Sequence, residues 1–138
     1  MKRIVVVLLC FFSLIGVCSC GLFYSDEPAP ALVLPQSSEI AKVELQKEGV
    51  WQEVEDEESV LALLKNAEPT TRESVNDSPY AETYYALCVQ GEEERLLFGY
   101  LYERESFFGL ISKWYFEVPY YGIYEVQEEH LSKVIEKK

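Results

Sequence analysis

The sequence predicts an α+β domain with a single antiparallel sheet and helices packed on one of its faces. Three observations predict it: segments in which apolar and polar residues alternate, tight-turn residues between those segments, and two stretches with the apolar spacing of a helix. The predicted order is strand, strand, helix, three strands, helix. The chain has 138 residues, which is enough for one such domain, and we place it at residues 40–138.

The first part of this domain is predicted to hold a hairpin and a helix. Residues 40–47 alternate as a half-buried strand does, the Glu-Gly pair at 48–49 suits a turn, and residues 50–54 can form the returning strand. The helix is predicted over residues 56–67, with Asp56 as its N-cap. Its apolar side chains fall on one stripe: Val60, Leu63, Leu64 and Ala67.

The second part is predicted to hold three strands and a final helix. The predicted strands are residues 83–90, 95–102 and 107–118, the last with a bulge at Gly109. Residues 103–106 are predicted to turn, residues 120–126 to form a turn and a short extension, and residues 127–136 to form the last helix.

The N-terminus has the layout of a secretory signal. Lys2 and Arg3 precede an apolar run over residues 4–17, which is short for a membrane-spanning helix. An uncleaved spanning anchor is the alternative interpretation.

The end of the apolar run reads Val-Cys-Ser-Cys at residues 17–20 and resembles the lipobox of bacterial lipoproteins. The resemblance implies that residues 1–19 are a signal peptide, that cleavage occurs before Cys20, and that Cys20 carries a diacylglyceryl thioether. It therefore implies that fatty acyl chains such as palmitate attach the protein to the extracytoplasmic face of the cell membrane. Two or more acyl chains anchor a protein stably.

Residues 20–39 are predicted to comprise this cysteine and a linker to the domain, residues 21–39. Pro28, Pro30 and Pro35 favour extended chain, and nineteen residues at about 3 Å each would reach on the order of 60 Å. The apolar residues 31–34 are predicted to dock on the domain as an edge strand.

Charge and cysteine content exclude several classes of function. The formal net charge is −12 and becomes −14 when the signal leaves with Lys2 and Arg3, which argues against nucleic-acid binding. Removal of the signal leaves two cysteines, the lipidated Cys20 and Cys88, so Cys88 has no thiol partner for a disulfide within the chain. Cys88 is therefore predicted to be a buried, unreactive thiol. The acidic run at residues 53–58 lacks the pattern of a calcium loop. We predict neither a cofactor nor a metal.

Two unusual strings carry a further resemblance. Ser-Val-Asn-Asp-Ser-Pro at residues 74–79 and Pro-Tyr-Tyr-Gly-Ile-Tyr at residues 119–124 look like a family of small lipoproteins from Gram-positive bacteria, catalogued as a domain of unknown function. The similarity covers roughly residues 40–136. It implies a membrane anchor, an extracytoplasmic compartment and a fold, and it supplies no catalytic residues.

The candidate binding surface combines a polar turn with an aromatic cluster: Asn76, Asp77, Trp114, Tyr120, Tyr121 and Tyr124. Exposed tyrosines make adaptable contacts at little cost in conformational entropy. This surface is therefore a candidate binding site for an envelope protein or for cell-wall glycan. The alternative is purely structural: Asx-type turns around residues 76–77 and cross-strand aromatic pairs that stabilise the sheet.

Three functions remain open. A non-enzymatic binding or accessory domain at the cell envelope is the main prediction, since the sequence lacks a nucleophile elbow, a phosphate loop and a His/Cys metal pattern. An inhibitor or immunity-type protein with an acidic surface is one alternative. A small envelope hydrolase that uses carboxylates such as Asp77 and Glu117 is the other.

Overall fold

A computed structural model describes residues 27–105 and 109–135, which form one seven-stranded antiparallel sheet and two α-helices. The predicted fold class is confirmed. The strands are β1 (Lys42–Lys47), β2 (Val50–Glu53), β3 (Glu68–Pro69), β4 (Tyr84–Gln90), β5 (Arg95–Glu105), β6 (Ser112–Val118) and β7 (Gly122–Val126). The helices are α1 (Glu57–Lys65) and α2 (Glu128–Val134). Across the sheet the strands run in the order β2-β1-β4-β5-β6-β7-β3. The predicted signal peptide and Cys20 lie outside the described residues.

The sheet has more strands than the sequence pattern predicts. The short extension after residue 120 is a full strand, β7, and the two-residue strand β3 pairs with it. The turn predicted at residues 103–106 is wrong, because β5 continues to Glu105 and pairs with the start of β6. Its charged end resembles a turn in sequence, yet it is the solvated end of a long hairpin. Gly109 lies in that hairpin's loop with φ +65°, and not at a bulge inside a strand.

The core lies between the helices and one face of the sheet. It contains side chains from both helices and from strands β1, β4, β5, β6 and β7: Val43, Val60, Leu63, Leu64, Tyr85, Leu87, Val89, Leu101, Phe116, Tyr124, Val126, Leu131, Val134 and Ile135. Gly99 makes one close contact possible, because a Cβ there would lie 2.5 Å from the Phe116 ring. The ring therefore covers the backbone of β5 directly. We call this side of the sheet the helix face.

Helix α1 begins as predicted. Asp56 Oδ1 accepts a hydrogen bond from the Ser59 backbone N–H at 3.0 Å, which satisfies one of the free donors of the first turn. The Ser59 hydroxyl also donates to the Asp56 carboxylate, and these bonds lower the pKa of Asp56. Val60, Leu63 and Leu64 are the buried side chains of the helix, so the stripe seen in the sequence is the packed one.

Residues 27–39 contact the domain and belong to its structure. The Ala29 N–H donates to the Thr70 carbonyl at 2.8 Å, and Leu32 and Leu34 pack against the core. The edge strand predicted for residues 31–34 is wrong, since no strand forms there. Prolines at positions 30 and 35 flank these residues and cannot donate to a strand ladder. Leu32 and Leu34 dock by side-chain packing instead.

Candidate binding face

The face opposite the helices carries a second set of aromatic side chains. Alternation along β4, β5 and β6 places these residues together: Tyr84, Ala86, Cys88, Phe98, Tyr100, Tyr102, Tyr115 and Glu117. Cross-strand neighbours are Tyr84 with Tyr102, and Tyr102 with Tyr115. We call this side the open face. A loop covers one end of it, and the other end is only partly covered.

The loop of residues 70–83 covers the end of the open face formed by β5, β6 and β7. Tyr102, Tyr115 and Ile123 are buried there, and Ala81 of the loop packs on them. The Arg72 guanidinium lies 5.5 Å from the centre of the Tyr115 ring. Burial, reinforced by the neighbouring Glu117, raises the pKa of Tyr102 far above its usual range. This end of the face is therefore a small second core.

A buried polar contact holds the loop in place. The Ser74 hydroxyl donates to Glu117 Oε1 at 2.8 Å, and both side chains are almost completely buried. The same hydroxyl accepts a hydrogen bond from the Tyr120 N–H at 3.1 Å. Ser74 thus connects the loop, strand β6 and the β6–β7 turn through one oxygen atom.

Tyr120 presents its side chain outward from that turn. Its φ is +59°, a left-handed conformation that non-glycine residues seldom adopt. Its hydroxyl donates to Asp77 Oδ1 at 2.8 Å, and this bond raises the pKa of Tyr120. Of the predicted surface residues, Asp77 and Tyr120 are therefore in direct contact. Asn76 lies next to Asp77, and both are exposed.

The structure places the other predicted residues elsewhere. Tyr121 is 42% exposed, and its hydroxyl donates to the Ala31 carbonyl at 3.0 Å. Tyr124 is fully buried in the helix-face core, where its hydroxyl donates to the Pro30 carbonyl at 2.6 Å. Burial raises the pKa of Tyr124 to about 12.

Trp114 also lies on the helix face, with its ring centroid 6.3 Å from that of Tyr85. Trp114 and Tyr124 therefore share no exposed surface with Tyr120.

Asp77 and Glu117 do not form an open pair of carboxylates. Glu117 is buried and accepts the Ser74 hydroxyl, whereas Asp77 is exposed and accepts the Tyr120 hydroxyl. Within residues 27–105 and 109–135, no group of three or more His, Cys, Asp and Glu side chains could hold a metal ion.

Next to this second core, a row of rings lies on β4 and β5, with Tyr84 exposed, Phe98 and Tyr100 half-buried, and Tyr100 also packed on the second core. The Tyr84 and Tyr100 centroids are 5.2 Å apart at 83°, and those of Phe98 and Tyr100 are 5.2 Å apart at 78°. Edge-to-face contacts of this kind favour a fixed arrangement of the rings. We call Tyr84, Phe98 and Tyr100 the aromatic row. The Arg95 guanidinium lies 4.8 Å from the centre of the Phe98 ring and extends the row at one end.

A hollow of about 390 Å³ adjoins the aromatic row. Its lining combines rings with polar side chains: Glu44, Trp51, Cys88, Gln90, Arg95 and Phe98. Glu44 accepts hydrogen bonds from Gln90 Nε2 at 2.7 Å and from Lys42 Nζ at 2.9 Å. Cys88 is buried, as predicted, and burial raises the pKa of its thiol, so it is a weak nucleophile. We call Glu44, Gln90 and Arg95 the polar rim.

The sequence interpretation did not include the aromatic row among the candidate site residues. A signal was present, since Phe98, Tyr100 and Tyr102 alternate along one strand and face Tyr84 across a short hairpin. Placing the hairpin register around residues 91–94 would have brought these rings together. The pattern could not tell which rings the loop of residues 70–83 covers.

Comparisons with known proteins give the fold and the family of this chain. An NMR structure of a protein from Ruminococcus gnavus is similar, with a TM-score of 0.56 and 22% identity, covering 73% of this chain and 99% of that one. At this identity the likeness shows the fold alone. No curated protein matches the chain. The family model DUF5301, described as "Domain of unknown function (DUF5300)", matches residues 28–125. The chain therefore belongs to this uncharacterised family.

Proposed function

We propose that this protein is a lipid-anchored, extracytoplasmic binding protein of a Gram-positive cell envelope, and that the aromatic row and polar rim bind cell-wall glycan. The anchor is the diacylglyceryl group on Cys20. The basic start, the short apolar run and the Val-Cys-Ser-Cys string at residues 17–20 support it. No helix in the described ranges is long and apolar enough to cross a membrane.

The observation that carries the binding proposal is the uneven cover of the open face. The loop of residues 70–83 buries Tyr102 and Tyr115, whereas Tyr84 stays 40% exposed and Trp51 stays 43% exposed. Sugar rings have apolar faces and hydroxyl edges, so they suit a surface that combines aromatic rings with planar polar side chains. The aromatic row offers rings for the apolar faces of a sugar, and the polar rim offers planar polar side chains for its hydroxyl groups.

The polar rim is organised before any ligand arrives. Lys42 and Gln90 fix the Glu44 carboxylate from two sides, and the Phe98 ring supports the Arg95 guanidinium. Polar groups that are already held in place lose less conformational entropy on binding. The rim can therefore offer hydroxyl groups both a carboxylate acceptor and guanidinium donors.

The size of the hollow is compatible with a glycan ligand. A volume of about 390 Å³ lies within the range of small-molecule sites, which is the size of site that a short oligosaccharide needs. The proposed function is non-enzymatic. Two features support this: Glu117 and Asp77 bind different hydroxyls, and only one of the two carboxylates is buried.

Titration with soluble, peptide-free cell-wall glycan oligosaccharides, followed by NMR, tests the binding site. We expect chemical-shift changes at the aromatic row and the polar rim. The substitution Tyr84→Ala should weaken binding about tenfold, since an aromatic contact contributes about 1 kcal/mol or somewhat more.

Tyr80→Ala is the matched control, because Tyr80 is 89% exposed and lies on the loop over the other end of the face. The binding proposal fails if the shifts are absent at millimolar glycan, or if the two substitutions weaken binding equally.

A separate measurement tests the anchor. Intact-mass analysis of protein purified from membranes of a Gram-positive host should show an N-terminal Cys20 that carries fatty acyl mass. Cys20→Ala should abolish this mass and release the protein from the membrane fraction. Cys18→Ala is the control and should leave the modification in place. A chain that retains Met1, or an unmodified residue 20, contradicts the anchor.

A further inference from the structure

We propose that Val75, Tyr120 and Tyr121 form a membrane-contact surface, seated in the headgroup region of the bilayer that carries the anchor. The inference rests on the proposed lipidation of Cys20. It adds the orientation of the domain, which the anchor by itself does not give.

The N-terminal segment is fixed to the domain from residue 29 onward. Three consecutive residues are held by backbone or tyrosine hydrogen bonds: Ala29 by Thr70, Pro30 by Tyr124 and Ala31 by Tyr121. A Cβ on Gly122 would lie 2.8 Å from the Ala29 Cβ, so glycine is needed for this close approach. The domain therefore holds the segment by specific contacts, and the segment does not act as a spacer from residue 29 onward.

The distance between Cys20 and the first described residue, Glu27, is short. Cys20 and Glu27 are seven residues apart, and seven residues span at most about 25 Å in any conformation. A folded domain of about 100 residues has a radius of gyration of about 13 Å. The anchor point therefore lies within roughly one domain width of Glu27. The linker length expected from the sequence, on the order of 60 Å, assumed that all nineteen linker residues are extended and free of the domain.

Exposed apolar and aromatic side chains surround Glu27 and Pro28, where the described chain begins. Glu27 and Pro28 line one hollow together with Val75, Tyr120 and Tyr121. Val75 is 62% exposed and Tyr120 is 67% exposed. Tyrosine is enriched at membrane interfaces, where its ring contacts acyl chains and its hydroxyl contacts headgroups and water.

The charges nearby decide which lipid this surface meets. Glu27, Glu73 and Arg72 line the same hollow, and Asp77 binds the Tyr120 hydroxyl. Three carboxylates therefore outnumber one guanidinium, so anionic lipids repel this side of the domain. The contact therefore depends on the short tether and forms with neutral headgroups. The polar rim extends from β1 to β5, so it lies between two and four strands from β7, at about 10 to 19 Å.

Paramagnetic NMR on an anchored protein tests this surface. Cys20 of the processed chain, residues 20–138 with Cys88→Ala, is coupled to a maleimide lipid in phosphatidylcholine nanodiscs that contain a nitroxide-headgroup lipid. Relaxation enhancement should be several-fold stronger for the amides of residues 73–76 and 120–122 than for those of β1 and β2. Uniform enhancement, or enhancement greatest on β1 and β2, overturns the proposal. Chemical coupling makes this result independent of acylation in the cell, which the mass measurement tests.

Two matched valine substitutions then test the contact itself. Val75→Asp should lower the enhancement at residues 73–76 about twofold or more, because a carboxylate is unfavourable within the interface. Val50→Asp is the control, since Val50 is 59% exposed at the opposite edge of the sheet. It should leave the pattern unchanged. Equal effects of the two substitutions in folded protein also overturn the proposal.

Discussion

The two faces of the sheet use the same strands in different ways. The helix face is covered by α1, α2 and the segment around residues 29–34, and its contacts are almost entirely apolar. The open face is covered only in part, by a loop that a buried serine and a buried glutamate hold in place. The comparison indicates that stability is concentrated on the helix face, whereas part of the open face stays uncovered.

The largest expected effect compares two phenylalanines, one on each face. Phe116→Ala removes a fully buried ring from the helix face and should lower the free energy of unfolding by about 3–5 kcal/mol. Phe98→Ala removes a half-buried ring from the aromatic row and should cost less than about 2 kcal/mol. Urea unfolding of both variants measures this difference. Equal losses would break the comparison between the faces.

An intermediate effect is expected at the loop attachment. Ser74→Ala removes the hydroxyl that donates to Glu117 and accepts from the Tyr120 N–H. Leaving buried polar groups without a partner should cost about 1–3 kcal/mol.

Hydrogen exchange should also become faster within residues 71–82, because the loop loses its buried attachment. Ser78→Ala, at an exposed loop position, is the control and should change stability by less than about 0.5 kcal/mol. Unchanged exchange in Ser74→Ala would show that the apolar contacts hold the loop by themselves.

The smallest expected effect concerns Tyr124 and alkaline pH. Burial raises the pKa of Tyr124 from 10 to about 12, so the folded state favours the neutral phenol. The stability that this group contributes is complete below pH 10 and is lost as the pH rises through about 12. Tyr124→Phe removes the hydrogen bond to the Pro30 carbonyl, which should cost about 0.5–1.5 kcal/mol at neutral pH.

Urea midpoints measured between pH 8 and pH 12 test this assignment. The decline above pH 10 should be shallower in Tyr124→Phe than in the unsubstituted protein. Tyr80→Phe, at an exposed position, is the control and should leave the slope unchanged. Parallel pH profiles for Tyr124→Phe and the unsubstituted protein would rule out Tyr124 as a source of the decline.

The sequence was most informative where burial imposes a period. The α1 stripe and the strands predicted at residues 83–90 and 95–102 were found because one face of each element must be apolar. Strand β3 has two residues, too few for any period, and it exists because β7 pairs with it. The aromatic segment at residues 114–116 gave no way to choose a face, since rings occur on both sides of β6. The positions of the helices therefore decide that Tyr124 is buried and that Trp114 is half-buried against the helix-face core.

The docking of residues 29–34 also determines where a protease can cut the chain without removing part of the packed structure. A cut on the N-terminal side of Glu27 frees the globular part with Leu32 and Leu34 still in place against the core. A cut near Pro35 severs those leucines, along with the carbonyls that Tyr121 and Tyr124 bind, from the body they help to cover. Cleavage on the N-terminal side of Glu27 therefore leaves the packing of the globular part complete, whereas cleavage near Pro35 does not.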